Sequence, residues 1–360
     1  MERKIIHCDA DCFFVAIEMR DNPALYSRPV AVGGNPQSRG VISTCNYPAR
    51  RFGIHSAMPS ATAMRLCPHL LILPHRLPVY REVSARMLNI FRQYASVVEP
   101  LSLDEAFLDV TDNRDFSGSA THVAEAIRTH VKRELRIDVS AGVANNKFLA
   151  KVASDWHKPN GLFVIPPAQV QDFILTLPVD RIPGVGPVMS RRLRDRGLNT
   201  CGDLQQLSQA QLYRDYGRSG IRLFHYCRGY DDRPLQPQRQ RKSLSVEHTY
   251  AQDLAGRVDC EAMLPELHLR LQERLQRASP RDAINKVFVK VKFADFTLTT
   301  LERSGARWDL EGYRGLLRQA LTRHRGAIRL LGLGVGFQAP EHGAQLPLFP
   351  AGEPEEAIFA

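Results

Sequence analysis

Three carboxylates in two separate segments have the types and spacing to hold divalent cations. Asp9 ends a short apolar run that predicts a strand, and Asp104 and Glu105 lie in the second half of a predicted hairpin over Val97–Val110. Adjacent residues of a strand point to opposite faces, so Asp104 and Glu105 can share a site only at a strand end or bend, which the turn at Pro100 permits. Converging carboxylates repel one another, and divalent cations relieve that repulsion. Two Mg²⁺ ions about 4 Å apart would serve an in-line phosphoryl displacement.

The same acidic residues also have a simpler interpretation. Asp9 and Asp11 would cap the following helix, and Asp104 and Glu105 would be surface residues of a turn. For Asp11 we favour the helix cap. For the other three carboxylates, spacing alone leaves both interpretations open.

Groups that could neutralise a polyphosphate lie in two further segments. Thr44–Arg51 offers a hydroxyl, a phenol and two guanidinium groups, and Lys158 adds a point charge. Guanidinium groups suit bidentate phosphate binding. Taken singly, these cations would be solvated surface charges. The chain contains no Walker motif, and the glycine-rich run Gly332–Gly336 is better interpreted as a strand approached closely by another backbone.

A mixed α+β organisation must position these residues. Hydrophobic periodicity predicts strands over Lys4–Asp9, Arg28–Val32, Gly40–Thr44 and Asp138–Val143, with the hairpin, and helices over Cys12–Arg20, Val79–Tyr94, Thr121–Leu135 and Asn146–Asp155. We expect these helices to pack on one face of a sheet. Residues 166–229 predict short helices, and 243–337 predict a second β-α-β-β-α-β unit with a helix from Met263.

The net charge is large and unevenly distributed. The 360 residues include 48 Lys and Arg against 38 Asp and Glu, a formal charge of +10. Residues 1–232 carry +6, residues 233–340 carry +8, and residues 341–360 carry −4. A segment at 233–242 holds four cations, two prolines and no acid, which predicts a basic linker between domains. The balance favours a polyanionic partner, although a simple solubility charge is the alternative.

Cysteine usage and the N-terminus predict a cytoplasmic protein without a membrane partner. The seven cysteines are scattered, with no C-x-x-C pair and no zinc spacing, which suits a reducing compartment. The first residues do not resemble a signal peptide, and no apolar run approaches the ~18 residues of a membrane span.

A glycine hairpin followed by arginines predicts contacts with nucleic-acid backbone. Ile182-Pro-Gly184-Val-Gly186 has the form of a helix-hairpin-helix turn, whose amides can face a phosphate. Four arginines follow, at positions 191, 192, 194 and 196. Such contacts position a duplex without reading its sequence. An ordinary glycine turn is the alternative.

The motifs Asp9-Ala-Asp-Cys-Phe-Phe14 and Ser102-Leu-Asp-Glu105 together resemble the palm of the Y-family DNA polymerases, most closely the bacterial DNA polymerase IV (DinB) branch. The resemblance runs from about Lys4 to Phe337. It implies a right-hand polymerase: palm (1–11 and 75–165), small fingers (12–74), helical thumb (166–232, with the helix-hairpin-helix at 182–197), basic linker (233–242), little finger (243–340) and a disordered acidic tail (341–360).

The resemblance also implies a role for individual residues. Two Mg²⁺ ions would be held by Asp9, Asp104, Glu105 and the Ala10 carbonyl, with Glu105 named as catalytic. Phe14 would exclude a 2′-hydroxyl, with Tyr80 packed near the sugar. The triphosphate would contact Thr44, Tyr47, Arg50 and Lys158. DNA would contact Gly184, Gly186, Arg191, Arg192, Arg239, Arg241 and Lys242. In the tail, Gln345, Leu346, Leu348 and Phe349 resemble the bacterial sliding-clamp peptide.

The implied activity is template-directed addition of deoxynucleotides to a primer, of low fidelity, without a proofreading exonuclease, in DNA damage tolerance and repair. The resemblance further implies a monomer acting at the nucleoid. Two other functions use some of the same residues. A binding module without chemistry would have no need of the intact carboxylates. A two-metal nuclease would give no reason for Phe14 or a triphosphate pocket.

Overall fold

The chain divides into two units, with the boundary between residues 239 and 240, inside the predicted linker. The structure is a computed structural model that describes residues 2–238, 240–278, 283–305 and 307–338.

A five-stranded sheet forms the centre of the first unit. Its order is β5-β6-β1-β7-β8. The strands are β1 (Ile5–Ala10), β5 (Val97–Pro100), β6 (Glu105–Asp109), β7 (Val139–Ala144) and β8 (Leu162–Val164). β1 lies in the middle and pairs antiparallel with both β6 and β7. The end of β1 is therefore flanked on both sides by ordered backbone.

Helices cover both faces of this sheet, so the expectation of one covered face was wrong. Ile6 and Cys8 share a core with α1 (Phe13–Asp21), α4 (Leu77–Tyr94) and α5 (Ala120–Leu135). Ile5 and Phe107 share a second core with α6 (Lys147–Ser154). Because successive strand residues alternate between faces, the burial of every residue of β1 except Asp9 requires cover on both sides.

A separate three-stranded sheet follows α1. Its strands β2 (Val30–Gly33), β3 (Ile42–Cys45) and β4 (Leu71–Leu73) pair in the order β3-β2-β4 and enclose a small core with α2 (Tyr47–Arg50) and α3 (Ser60–Leu66). Asn46 caps α2 by accepting from the Ala49 amide at 3.1 Å. Its side chain also accepts from the Val30 amide at 3.1 Å, which joins α2 to β2.

Five short helices complete the first unit: α7 (Val170–Thr176), α8 (Pro187–Arg194), α9 (Cys201–Gln205), α10 (Gln209–Tyr216) and α11 (Arg218–Tyr226). Reciprocal capping boxes begin two of them, Thr200 with Asp203 at α9 and Ser208 with Gln211 at α10. Gly220 allows α10 and α11 to cross closely, since a β carbon there would overlap the Leu212 carbonyl.

Part of the predicted linker is tied to the first unit. The buried Asp231 accepts from the Phe148 amide at 3.0 Å and pairs with Arg233 at 2.6 Å. The Gln236 amide donates to Glu99 at 2.9 Å. Residues 233–236 are therefore held against α6 and the central sheet.

The second unit has the predicted β-α-β-β-α-β order: β9 (Ser243–Leu254), α12 (Arg257–Ala278), β10 (Ile284–Phe293), β11 (Leu298–Ser304), α13 (Leu310–Leu321) and β12 (Ile328–Phe337). The antiparallel sheet has the order β11-β10-β12-β9. α12 begins six residues before the predicted Met263 and contains Pro265. Burial of Cys260 and Leu264 against the sheet outweighs the helix-breaking tendency of that proline.

The glycines of β12 are covered by side chains, so the prediction of a close backbone was wrong. Phe288 is the cross-strand partner of Gly334, and its ring occupies the space that a β carbon there would need. Lys286 similarly covers Gly336.

Among the described residues, no helix combines the length and the apolar character that crossing a bilayer requires.

Two helical glycines should respond oppositely to alanine. Gly220→Ala forces a β carbon into the Leu212 carbonyl and should lower the free energy of unfolding by about 1–3 kcal/mol. Gly315→Ala in α13 meets no atom within 4 Å and should raise it by up to about 1 kcal/mol through helix propensity. Urea denaturation followed by circular dichroism checks both. Equal stability of the two variants would contradict the close crossing of α10 and α11.

Candidate active site

The predicted carboxylates converge at the end of β1. Asp9 is the cross-strand partner of Glu105, the first residue of β6. Asp104 lies in the bend just before β6, and its carbonyl accepts from the Ala10 amide at 2.9 Å. Because Asp104 precedes the strand, it escapes the alternation that would send it to the face opposite Glu105. The predicted strand-start position is therefore the observed one.

A cavity of about 300 Å³ opens beside these residues. Eight residues expected in metal, sugar or triphosphate contacts line it: Asp9, Ala10, Phe14, Thr44, Tyr47, Arg50, Asp104 and Lys158. Of the residues expected in those contacts, Glu105 and Tyr80 lie outside the lining. One concave space thus joins the carboxylates to the cationic and hydroxyl groups of the small sheet.

Burial and neighbouring charges have opposing effects on the pKa of the Asp9 carboxyl. Burial raises the pKa of its carboxyl to about 6, Lys158 opposes that rise, and Asp155 and Asp104 add to it. The Lys158 ammonium lies 2.7 Å from Asp9 and 2.8 Å from Asp155. Burial opposes the charge on Lys158, but these two carboxylates hold its pKa above the usual value. A divalent cation would favour the ionised form of Asp9 in the same way.

Glu105 has a different environment. Its Oε2 accepts from Lys151 and lies 3.1 Å from His7 Nε2. Burial would raise the pKa of Glu105, but these two partners outweigh it and lower the pKa to about 2. The ligand atoms of His7, Asp9 and Glu105 lie within 4.8 Å of one another. Oxygen donors from Asp9, Asp104 and Glu105 suit a hard divalent cation, so the residues present fit the implied metal.

Sequence reasoning missed His7 and Lys151. Burial lowers the pKa of His7 to about 4, so the ring is neutral, and its Nδ1 lies 2.7 Å from the Ser154 hydroxyl. The available signal for His7 was its position two residues before Asp9, on the same face of β1. Lys151 gave no comparable signal, because only the packing of α6 on the sheet aims it at Glu105.

Phe14 forms a wall of the cavity, and Tyr80 supports it from behind. The two rings stack with centroids 4.3 Å apart and planes 13° apart. Tyr80 is fully buried, and its hydroxyl donates to Glu18 at 2.6 Å. Tyr80 lies outside the cavity lining and contacts the Phe14 ring, and its place near the sugar stays a prediction.

Asp11 does not cap α1, so that prediction was wrong. The N-cap is Cys12, in a left-handed conformation (φ 42°) and without a side-chain cap bond. The carboxylate of Asp11 turns inward instead and accepts from Tyr47, Ser140 and the Asn160 amide. Three donors from distant segments outweigh the local helix amides.

The predicted helix-hairpin-helix turn is present, with Gly184 at φ +92° and Gly186 as N-cap of α8. The arginines that follow differ in availability. Arg192 and Arg196 lie over the Tyr216 ring, Arg196 also pairs with Asp215 at 2.7 Å, and Arg194 pairs with Asp180 at 3.0 Å. Arg191 is exposed and has no polar partner within the described part of the chain.

The remaining predicted residues fall into two groups. Arg241 and Lys242 are exposed just before β9. Arg239 and the predicted clamp peptide, with Gln345, Leu346, Leu348 and Phe349, lie outside the described residues.

Three family models match the chain in order. The impB/mucB/samB family matches residues 8–155, the thumb domain of DNA polymerase-iota matches 180–231, and the impB/mucB/samB C-terminal domain matches 241–348.

Two curated relatives match almost end to end. A DNA polymerase IV of Ralstonia nicotianae is 51% identical, covering 99% of this chain and 100% of its own. A DNA polymerase IV of Pseudomonas putida is 54% identical, covering 97% and 99%.

Solved structures agree with these matches. A chimera of the Y-family DNA polymerases Dbh and Dpo4 is 29% identical, with a TM-score of 0.84 over 92% of this chain and 98% of its own. An insertion ternary complex of Dbh DNA polymerase is 28% identical, with a TM-score of 0.64 over 93% and 98%.

Proposed function

Because the chain belongs to the Y family of DNA polymerases, within the DNA polymerase IV group, we propose that the cavity beside Asp9 binds the incoming deoxynucleoside triphosphate. The chain is a DNA-directed DNA polymerase of the translesion type, acting in DNA repair. It binds DNA and deoxynucleoside triphosphates and uses a divalent metal. The assignment of single residues, below, is our proposal.

One observation carries the assignment: a single cavity is lined both by acidic groups and by groups suited to bind phosphate. Asp9 and Asp104 come from the central sheet and the bend before β6, and Thr44, Tyr47 and Arg50 come from β3 and α2. A nuclease would need the first group alone. A non-catalytic binding module would need neither. A nucleotidyl transfer needs both, because the metal-bound reaction centre must lie beside a neutralised triphosphate.

We assign two Mg²⁺ ions to Asp9, Asp104, Glu105 and the Ala10 carbonyl. Bound there, the ions would supply charge neutralisation for the attacking primer oxygen and the departing pyrophosphate. The residues of the chain prepare this site. Lys151 and His7 lower the pKa of Glu105 and orient its carboxylate, and Lys158 opposes the rise that burial causes in the pKa of Asp9.

Phe14 is proposed to discriminate the sugar. Its ring lines the cavity and is held by stacking on Tyr80, which Glu18 anchors through a 2.6 Å hydrogen bond. A ring fixed from behind cannot retreat from a 2′-hydroxyl. Thr44, Tyr47, Arg50 and Lys158 would bind the triphosphate.

We propose the domain assignments on the same basis. Residues 1–11 and 75–165 form the palm, 12–74 the fingers, 166–232 the thumb and 243–340 the little finger. Gly184, Gly186 and Arg191 would contact duplex phosphates, and Arg239, Arg241 and Lys242 would add charge at the linker. Arg192 is engaged with Tyr216 and the Asp215 carbonyl, so we assign it to holding α8 in place.

The tail is proposed to recruit the sliding clamp through Gln345, Leu346, Leu348 and Phe349. An apolar peptide on a tether raises the effective concentration of the enzyme at a clamp-loaded primer end. We further propose a monomer in the cytoplasm, associated with the nucleoid. The seven cysteines, all buried and unpaired, suit a reducing compartment.

Loss of a carboxylate should separate chemistry from binding. Asp9→Ala or Asp104→Ala should abolish single-nucleotide addition to a primer in Mg²⁺, while duplex affinity measured by fluorescence anisotropy stays within about threefold, because the proposed phosphate contacts lie elsewhere. Asp112→Ala, at an exposed acid, is the matched control and should extend normally. Extension by either site variant would refute the metal assignment.

Shortening Phe14 should admit ribonucleotides. Phe14→Val opens the wall against the 2′-hydroxyl, so the ratio of kcat/KM for deoxynucleotide over ribonucleotide should fall by at least about a hundredfold. Tyr80→Phe keeps the stacked ring and removes only the hydroxyl to Glu18, so it should retain most of the selectivity. Unchanged selectivity in Phe14→Val would refute the assignment.

Two neighbouring arginines should differ in their effect on DNA binding. Arg191→Ala should weaken duplex binding and lower the salt slope of the affinity by about 1, because one phosphate contact is lost. Arg192→Ala should lower the melting temperature more and the salt slope less, since its guanidinium stacks on Tyr216. Salt titrations of duplex affinity test this, and the reverse order would contradict it.

A further inference from the structure

Asp11 lies at the junction of the segments that surround the proposed triphosphate site. Its side chain is buried, and the whole residue is 3% exposed. One carboxylate oxygen accepts from the Tyr47 hydroxyl at 3.2 Å, and the other accepts from the Asn160 amide at 2.7 Å. The Ser140 hydroxyl reaches both oxygens, at 3.1 and 2.9 Å. Three segments far apart in sequence therefore meet on one carboxylate.

The Tyr47 side of this junction leads to Arg50, which we assign to the triphosphate. Tyr47 is the first residue of α2, and the Arg50 guanidinium lies 4.8 Å from the centre of its ring. Arg50 also donates to the Cys45 carbonyl at 3.3 Å. The orientation of the Tyr47 ring therefore determines where the Arg50 guanidinium packs.

The Asn160 side of this junction holds the segment that carries Lys158. Asn160 follows Lys158 by two residues, and the Lys158 ammonium is aimed at Asp9. Arg128 donates to the Asn160 carbonyl at 2.5 Å and to the Asn160 side chain at 2.8 Å. The bond from the Asn160 amide to Asp11 is a second anchor for the backbone that carries Lys158.

Asp11 and Tyr47 also border a second cavity. Both residues line the proposed nucleotide cavity, and both line this second cavity of about 250 Å³ together with Pro48, Asp138 and Asn160. The Tyr47 ring packs against the core of the central sheet, but the two cavities leave it room to shift when its hydrogen bond to Asp11 is lost.

We propose that Asp11 is a positioning residue that couples the two sides of the triphosphate site, Tyr47 with Arg50 on one and Lys158 on the other. Asp11 acts through these residues and does not itself contact the nucleotide, because its oxygens are occupied by three donors. The inference rests on the proposed function, since it takes the cavity to be the nucleotide site.

Steady-state kinetics of single-nucleotide addition provide the main test. Asp11→Ala should raise KM for the nucleotide by about tenfold to a hundredfold, with kcat within about threefold, because it misplaces binding groups and leaves the carboxylates in place. Asp11→Asn keeps an acceptor for the Asn160 amide and should give an intermediate KM. Nucleotide affinity, measured by titration into enzyme bound to a dideoxy-terminated primer, should change in parallel with KM.

Ser140→Ala is the matched control. It removes the contacts of the Ser140 hydroxyl with both Asp11 oxygens and the acceptor of the Gly161 amide, so it should lower the melting temperature. It leaves in place the hydrogen bonds of Asp11 with the Tyr47 hydroxyl and the Asn160 amide. Its KM should stay within about twofold of the wild type. A comparable rise in KM for Ser140→Ala would mean that Asp11 only stabilises the fold, and this result would overturn the proposal.

A double-variant cycle with Tyr47→Phe tests the coupling itself. If Asp11 acts partly through the Tyr47 hydroxyl, the two substitutions should not be independent. The fold-increase in KM for Asp11→Ala/Tyr47→Phe should then be at least about threefold smaller than the product of the fold-increases for the two single variants. Independent effects, or an unchanged KM for Asp11→Ala, would refute the inference. Wild-type enzyme that neither extends a primer nor binds nucleotide would instead refute the proposed function, so the two failures are distinguishable.

Discussion

The compensation of partly buried carboxylates at the end of β1 is the constraint on which the site depends. Burial works against the charge of Asp9, and the nearby Asp104 and Asp155 make it less favourable. Lysines from α6 and the segment after it offset this cost, Lys151 at Glu105 and Lys158 at Asp9. Those lysines reach the carboxylates because Gly142 lets α6 lie on β7, where any β carbon would overlap the Ala150 carbonyl and the Ser154 amide.

The rest of the site is rigid for a related reason. Buried polar groups favour hydrogen bonds, and the buried carboxylates of Glu18 and Asp11 each join separate segments through them. Glu18 holds Tyr80 at 2.6 Å and Arg76 at 2.8 Å, and Tyr80 in turn supports the Phe14 ring. Asp11 joins the small sheet to the central one. The walls of the cavity are thus set in advance, which would reduce the entropy lost when the proposed nucleotide binds.

The positive charge of the chain is less available than its count suggests. In the thumb, Arg194 and Arg196 pair with Asp180 and Asp215. In the second unit, Lys286 and Lys290 pair across strands with Glu302 and Glu247, each at 2.9 Å. Such exposed pairs add little stability. They do lower the number of cations that stand ready for phosphate, so binding of DNA relies on fewer cations than the 48 Lys and Arg of the chain.

The sequence by itself determined the order of elements, the two-unit division and the identity of most residues in the cavity. Hydrophobic periodicity and turn residues are local signals, and they place Asp9, Asp104, Phe14, Thr44 and Arg50 at element ends where a site can form. The resemblance of separated motifs then gave the family. The structure decided what no local signal carries: the burial of Tyr80 behind Phe14, the inward turn of Asp11 and the contacts of His7 and Lys151 with Glu105. These depend on which distant segments pack together, and burial and hydrogen-bond satisfaction across the fold outweigh the local preferences from which each residue was first assigned.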